Sequence, residues 1–204
     1  MSDYISDIAF TPAVKAWQEK QGSRQVYQRM AEKRDWPNTI TADLEGFIAE
    51  RDSFYIASVN AEGQPYIQHR GGPKGFLKVV DEETLGFADY SGNRQYITAG
   101  NLSENNKVHL FLMDYPNRTR IKIWGEARVV EDDKDLVDQL MDDNYRAMPE
   151  RAMLIKITAW DINCPQHIMP RFTIDQIEPE INQLKAKIKS LEAKLQNCEP
   201  KEEV

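Results

Sequence analysis

Three cationic breaks, two of them rich in glycine, interrupt a run of alternating apolar segments between Phe54 and Glu131. They are His69-Arg70-Gly71-Gly72-Pro73-Lys74-Gly75-Phe76, Asp89-Tyr90-Ser91-Gly92-Asn93-Arg94 and Thr119-Arg120. An Arg presents two parallel N–H donors that match a phosphate, Gly lets backbone N–H groups approach the oxygens, and a following helix start adds its positive dipole end. Phosphate binding is the chemistry this combination suits, with Arg70 and Arg94 as the candidate ligands. Lys78 alternates with apolar neighbours in a predicted strand, which fits either a solvated charge or a contact to substrate or cofactor. Tyr90 and Trp124 could stack on a ring or belong to the core. Cys164-Pro165-Gln166-His167 has the spacing of a nucleophile with its base or of half a metal site, and equally that of a structural turn. No second Cys/His pair stands in the sequence to complete a metal site.

The elements that must hold these residues follow from the apolar period. Residues 11–51 read as helices: Pro12 suits a first turn, Val14, Trp17, Val26, Tyr27 and Met30 recur at helical spacing, and Thr41 is an N-cap candidate. From Phe54 the period changes to two. Strands over 54–59 and 65–69 flank a Gly63 turn, and strands over 76–80 and 84–88 flank an acidic turn. A short helix is expected over 93–102, then strands over 107–113 and 120–130, a helix over 132–141 and a long strand over 153–162. Strands of similar length with tight turns predict a small antiparallel barrel in an α+β, mainly β chain. From Ile177 the positions Ile181, Leu184, Ile188, Leu191 and Leu195 follow heptad spacing for under three heptads. That length predicts an amphipathic helix laid on its own domain or on a dimer partner. The expected division is a barrel domain with N-terminal helices over 1–175 and a heptad helix with an acidic tail over 176–204.

Bulk properties exclude other classes. In 204 residues, 26 Lys and Arg stand against 33 Asp and Glu, and the net charge of -7 opposes nucleic acid and anionic membrane surfaces. The first residues show neither a cationic nor an apolar leader segment, no apolar run approaches membrane-spanning length, and the two cysteines, 34 positions apart, form no disulfide framework. A reduced, cytoplasmic protein is expected.

Four segments in order then carry a resemblance: Arg70 to Lys78, Asp89 to Gln95, Glu104-Asn105-Asn106-Lys107-Val108, and Arg120 leading into Ile123-Trp124-Gly125-Glu126-Ala127. Over roughly residues 47–172 the chain resembles the pyridoxamine 5'-phosphate oxidase-like family of FMN-binding split β-barrels. The resemblance implies a homodimer with FMN in two interfacial clefts. It implies a phosphate held in the Tyr90, Ser91, Asn93 loop by Arg94, Gln95 and Arg70. The backbone of Phe76, Leu77 and Lys78 would border the isoalloxazine ring, Arg120 would sit near its polar edge, and Gln166 and His167 would close over it. The Arg- and Ser-containing segment that holds substrate phosphate in true pyridoxamine phosphate oxidases and their C-terminal Arg-rich motif are both missing; Asp142 to Glu150 fills the first region and the heptad helix stands in place of the second. The implied activity is hydride transfer between a small organic substrate or NAD(P)H and FMN. A deazaflavin (F420)-dependent reductase and a non-catalytic flavin- or haem-binding protein are the alternatives.

Overall fold

The computed structural model describes residues 4–142, 144–163 and 165–198. Period-two alternation produces strands wherever one face can be buried. In β5 (Lys107–Asp114) the inward positions are Val108, Leu110 and Leu112, and in β6 (Thr119–Val130) they are Ile121, Ile123 and Ala127. These two form a hairpin, and with β1 (Ser53–Val59), β2 (Pro65–Gly71), β3 (Lys78–Val79), β4 (Thr84–Tyr90) and β7 (Pro149–Asn163) they build one antiparallel sheet. Its strand order is β2-β1-β5-β6-β7-β4-β3.

Three strands stand between β1 and β4 in that order, yet the Phe54 and Phe87 rings meet edge to face at 5.4 Å, with Phe76 stacked 5.6 Å from Phe54. The sheet therefore curls into a barrel around an aromatic and aliphatic core. Among the described residues no ladder joins β2 to the part of β4 beyond Gly86, which the short β3 leaves uncovered. Side chains bridge that opening instead, which makes the barrel a split one.

Helices α1 (Pro12–Lys20), α2 (Arg24–Lys33), α3 (Ala42–Ala49), α4 (Ile97–Glu104) and α5 (Lys134–Leu140) accompany the barrel after a 3₁₀ turn at Ile5–Ile8, and α6 (Ile174–Cys198) follows β7. Pro12 opens α1, and Thr41 Oγ1 accepts the Leu44 N–H at 3.3 Å to start α3. The N-terminal segment crosses the outside of the sheet, where Trp36 stacks on Trp124 at 4.8 Å and Trp160 donates its indole N–H to the Thr39 carbonyl at 2.8 Å. His109 lies against Trp124 at 4.6 Å, and its burial, helped by the Lys122 ammonium, holds its pKa below the usual imidazole value.

Three expectations differ from the structure. The strand over 76–80 shrinks to Lys78–Val79, because Gly75 takes a φ of +75° in a turn and Phe76 and Leu77 then point into the core. Helix α4 begins at Ile97, since Arg94 and Tyr96 adopt left-handed backbone that cannot propagate a right-handed helix. The helical spacing of Val14, Trp17 and Val26 is real, but these side chains remain exposed. Among the described residues, no helix is long and apolar enough to cross a membrane.

A bulge between Trp124 and Gly125 brings β7 so close that a Cβ on Gly125 would lie 2.6 Å from the Lys156 carbonyl oxygen, whereas one on Gly46 in α3 would meet nothing within 4 Å. Gly125→Ala should therefore lower the urea-unfolding free energy by about 2 kcal/mol through overpacking. Gly46→Ala should raise it by roughly 0.5–1 kcal/mol, the helix-interior cost of glycine.

Candidate functional site

Strand β2 is a sheet edge whose alternation puts Tyr66, Gln68 and Arg70 on one face. Strand β4 ends at Asp89 and Tyr90, and the loop that follows leads into α4. These pieces enclose a cleft of about 250 Å³, lined also by Asn93, Arg94, Gln95, the start of α4, Glu150 and Arg151. A second cleft of about 160 Å³, lined by His69, Gly71, Phe76, Phe87 and Ala88, shares Arg70, Asp89 and Tyr90 with the first. The two form one groove with Arg70 at its junction.

Arg70 reaches across the open seam to Asp89, Nη1 to Oδ1 at 2.6 Å, and its guanidinium lies 5.8 Å from the Phe87 ring centre. Its Nε is buried without a hydrogen-bond partner. On the other side of Asp89 stands Arg151, its cross-strand neighbour, with Nε 3.5 Å from Oδ2. Arg151 also binds Glu131 at 3.0 Å and Glu150 at 2.5 Å, and its guanidinium covers the Tyr96 ring at 4.9 Å. Burial pushes the Asp89 carboxyl above its ordinary value of 3.8, and the two arginines offset this only in part. Farther along the seam Thr98 Oγ1 donates to Gln68 Oε1 at 2.7 Å.

The upper rim is built for an anion. Arg94 and Tyr96 have φ of 59° and 52°, and no side chain caps the first turn of α4. The leading N–H groups of that helix therefore lack intrahelical partners at the cleft wall, where the dipole favours negative charge. Asn93 Oδ1 accepts the Gln95 N–H at 3.3 Å and stiffens the loop. The Arg94 side chain is 71% exposed and, among the described residues, its one ion pair is with Glu150, Nε to Oε1 at 3.8 Å, so turning it toward a ligand would cost little.

The sequence profile of the family described as pyridoxamine 5'-phosphate oxidase matches residues 40–164. The chain belongs to that family. Solved structures with a similar chain path include an FMN-binding protein from Syntrophomonas wolfei, at 12% identity over 72% of this chain and 97% of that one, TM-score 0.48. HupZ from group A Streptococcus gives 17% identity over 65% and 99%, TM-score 0.47. HutZ, the haem storage protein of Vibrio cholerae, gives 16% over 59% and 92%, TM-score 0.42. No curated protein matches the chain.

Of the residues expected from the family pattern, Arg70, Tyr90, Asn93, Arg94 and Gln95 converge in the main cleft, and Phe76 lines the adjoining one. Ser91 sits in the same loop, its N–H donating to the Met148 carbonyl at 2.9 Å, without lining the cleft. Leu77 is core, at 1% exposure. Lys78 Nζ donates to the carbonyls of Gln139 and Met141 at 2.9 and 2.7 Å, closing the C-terminal end of α5 rather than facing the groove. Arg120, opposite Asn163 in β6, and the exposed Gln166 and His167 after β7 line neither cleft. Cys164 lies outside the described residues. The family pattern did not single out Gln68, Asp89, Thr98, Glu150 or Arg151. Arg151 becomes visible only once the β4–β7 register sets it opposite Asp89.

A carboxyl whose folded pKa is raised contributes stability that is full below the unfolded value and is lost as pH rises through the folded one. Asp89→Asn should hence keep its fold, and its melting temperature should fall less than that of the unaltered chain between pH 4 and 7. Parallel thermal melts across that range check this, and identical slopes would remove Asp89 as a buried, pKa-shifted carboxyl.

Proposed function

We propose that the chain is an FMN-binding flavoprotein that acts as an oxidoreductase in a homodimer. One observation carries the reading: the exposed guanidinium of Arg94, the uncapped start of α4 and the seam-spanning Arg70 converge on a single cleft. In this reading the phosphate sits among Arg94, Asn93, Gln95 and the leading N–H groups of α4. Arg70, whose buried Nε has no partner, supplies a further donor at the junction. The cleft that opens beside Phe76 and Tyr90 receives the flat end of the cofactor. Arg120, Gln166 and His167, which lie outside the groove, are assigned to the wall that a second subunit adds, in keeping with the interfacial cofactor of the family pattern.

The bound flavin would supply the hydride or electron transfer. The chain's own residues would bind and orient it, and the guanidinium of Arg120 would favour negative charge near the ring's polar edge. Asp89 is held between two arginines and is not free to move protons. The substrate class assigned is a small organic molecule or a nicotinamide donor.

Titration of the chain with FMN, followed by flavin fluorescence, tests the assignment. Arg94→Ala should weaken binding about 10- to 100-fold, the worth of a charge-assisted phosphate contact of roughly 1.5–3 kcal/mol. Lys187→Ala, on α6 and outside both clefts, should leave it unchanged. Equal affinities would remove Arg94 from the site. A chain that binds F420 or haem in place of FMN would overturn the cofactor assignment.

A further inference from the structure

Helix α6 does not lie on its own domain. It runs from Ile174 to Cys198, and residues 174–195 are all exposed, including the whole apolar stripe from Ile177 at 37% to Leu195 at 67%. An apolar stripe of that length left in water calls for a partner.

We propose that α6 pairs with α6 of a second copy of this chain as a parallel, in-register, two-stranded coiled coil, a proposal that rests on the homodimer put forward above. The steps of 4, 3, 4, 3 and 4 place Ile181, Ile188 and Leu195 at the a positions of the heptad and Ile177, Leu184 and Leu191 at d. β-Branched residues at a with Leu at d favour two parallel strands. The flanking charges select the same arrangement. In parallel register the g residue of one helix faces the e residue five positions on in its partner, which pairs Glu180 with Lys185 and Lys187 with Glu192 on both sides of the seam. In the antiparallel arrangement that keeps the same apolar layers, Lys185 meets Lys185, Lys187 meets Lys187 and Glu178 meets Glu192, leaving only Glu180 and Lys194 matched. Pro179 falls at f, on the outer side, where it can bend the helix away from the barrel without touching the seam.

From Glu180 to Cys198 the helix is about 28 Å long, which is marginal for independent association. Tethering to a dimeric barrel changes the arithmetic, because the second helix is then present at an effective concentration of order millimolar. The next d position after Leu191 is Cys198. Parallel in-register pairing sets the two Cys198 residues face to face, while antiparallel pairing sends them to opposite ends.

The full chain, reduced and sized by light scattering, is then treated with diamide. The oxidant takes up the two protons and two electrons released as two thiols join in one disulfide. Parallel pairing predicts a dimer in solution and conversion of most of the chain to a disulfide-linked dimer on a non-reducing gel. Cys198→Ser should abolish that product and Cys164→Ser should preserve it. Lys185→Glu with Lys187→Glu, which makes both the 180–185 and the 187–192 pairs repulsive on an exposed helix that the barrel does not need, should slow cross-linking several-fold at low salt. A dimer that fails to cross-link through Cys198 overturns the coiled coil and leaves the barrel dimer standing. A monomer overturns both.

Discussion

The contact between Arg70 and Asp89 is where barrel and binding cleft become one structure. In the curled seven-stranded sheet β3 is the strand beyond β4, but it pairs only with Leu85 and Gly86, so among the described residues the later part of β4 faces β2 without a ladder. A side-chain bridge across that seam takes the ladder's place. Closing the seam with side chains rather than backbone leaves a groove along it, and the groove is lined by the residues that close it. The residue suited to reach across the gap, a long planar cation, is also one suited to an anionic ligand.

Asp89 secures geometry more than stability. Its carboxylate is largely removed from water, and burial outweighs the attraction of two arginines, so the charge is held at some cost. In exchange both guanidinium groups are aimed. Arg70 stays at the junction of the two clefts, and Arg151 is locked over Tyr96 and against Glu150, leaving Arg94 the loosely held cation at the rim. A fixed cation at the base and a movable one at the mouth is an arrangement that admits a ligand and then grips it.

The homodimer proposed above would cover apolar surface that one chain leaves in water. Ile67 on the edge strand, Ile162 near the end of β7, Met169, Phe172 and the stripe of α6 are all exposed apolar residues. Isolated instances are ordinary, but an entire helix face is not. The same assembly would bring Arg120, Gln166 and His167 to a cleft they do not reach within one subunit.

Strand and helix types were legible because burial on one face imposes a period on the sequence, and the barrel's strands and the N-terminal helices stand close to where the pattern put them. The loop at the rim of the cleft was legible as a break because Gly, Asn and Arg mark backbone and charge requirements that are local. Short-range sequence reasoning failed where a local run had two outcomes. The apolar segment at Phe76 and Leu77 looked like strand, and tertiary packing turned it into the core. Lys78 looked like a cofactor contact, and the end of α5, about sixty positions on, captured its ammonium group. Arg151 carried no mark at all, since its role comes from lying opposite Asp89 across a register that no short stretch of sequence encodes. What the chain determines alone is therefore each element and each local combination of loop backbone and charge. Which charges meet across the seam is decided only when the sheet curls, because that juxtaposition depends on long-range pairing and not on any neighbour in sequence.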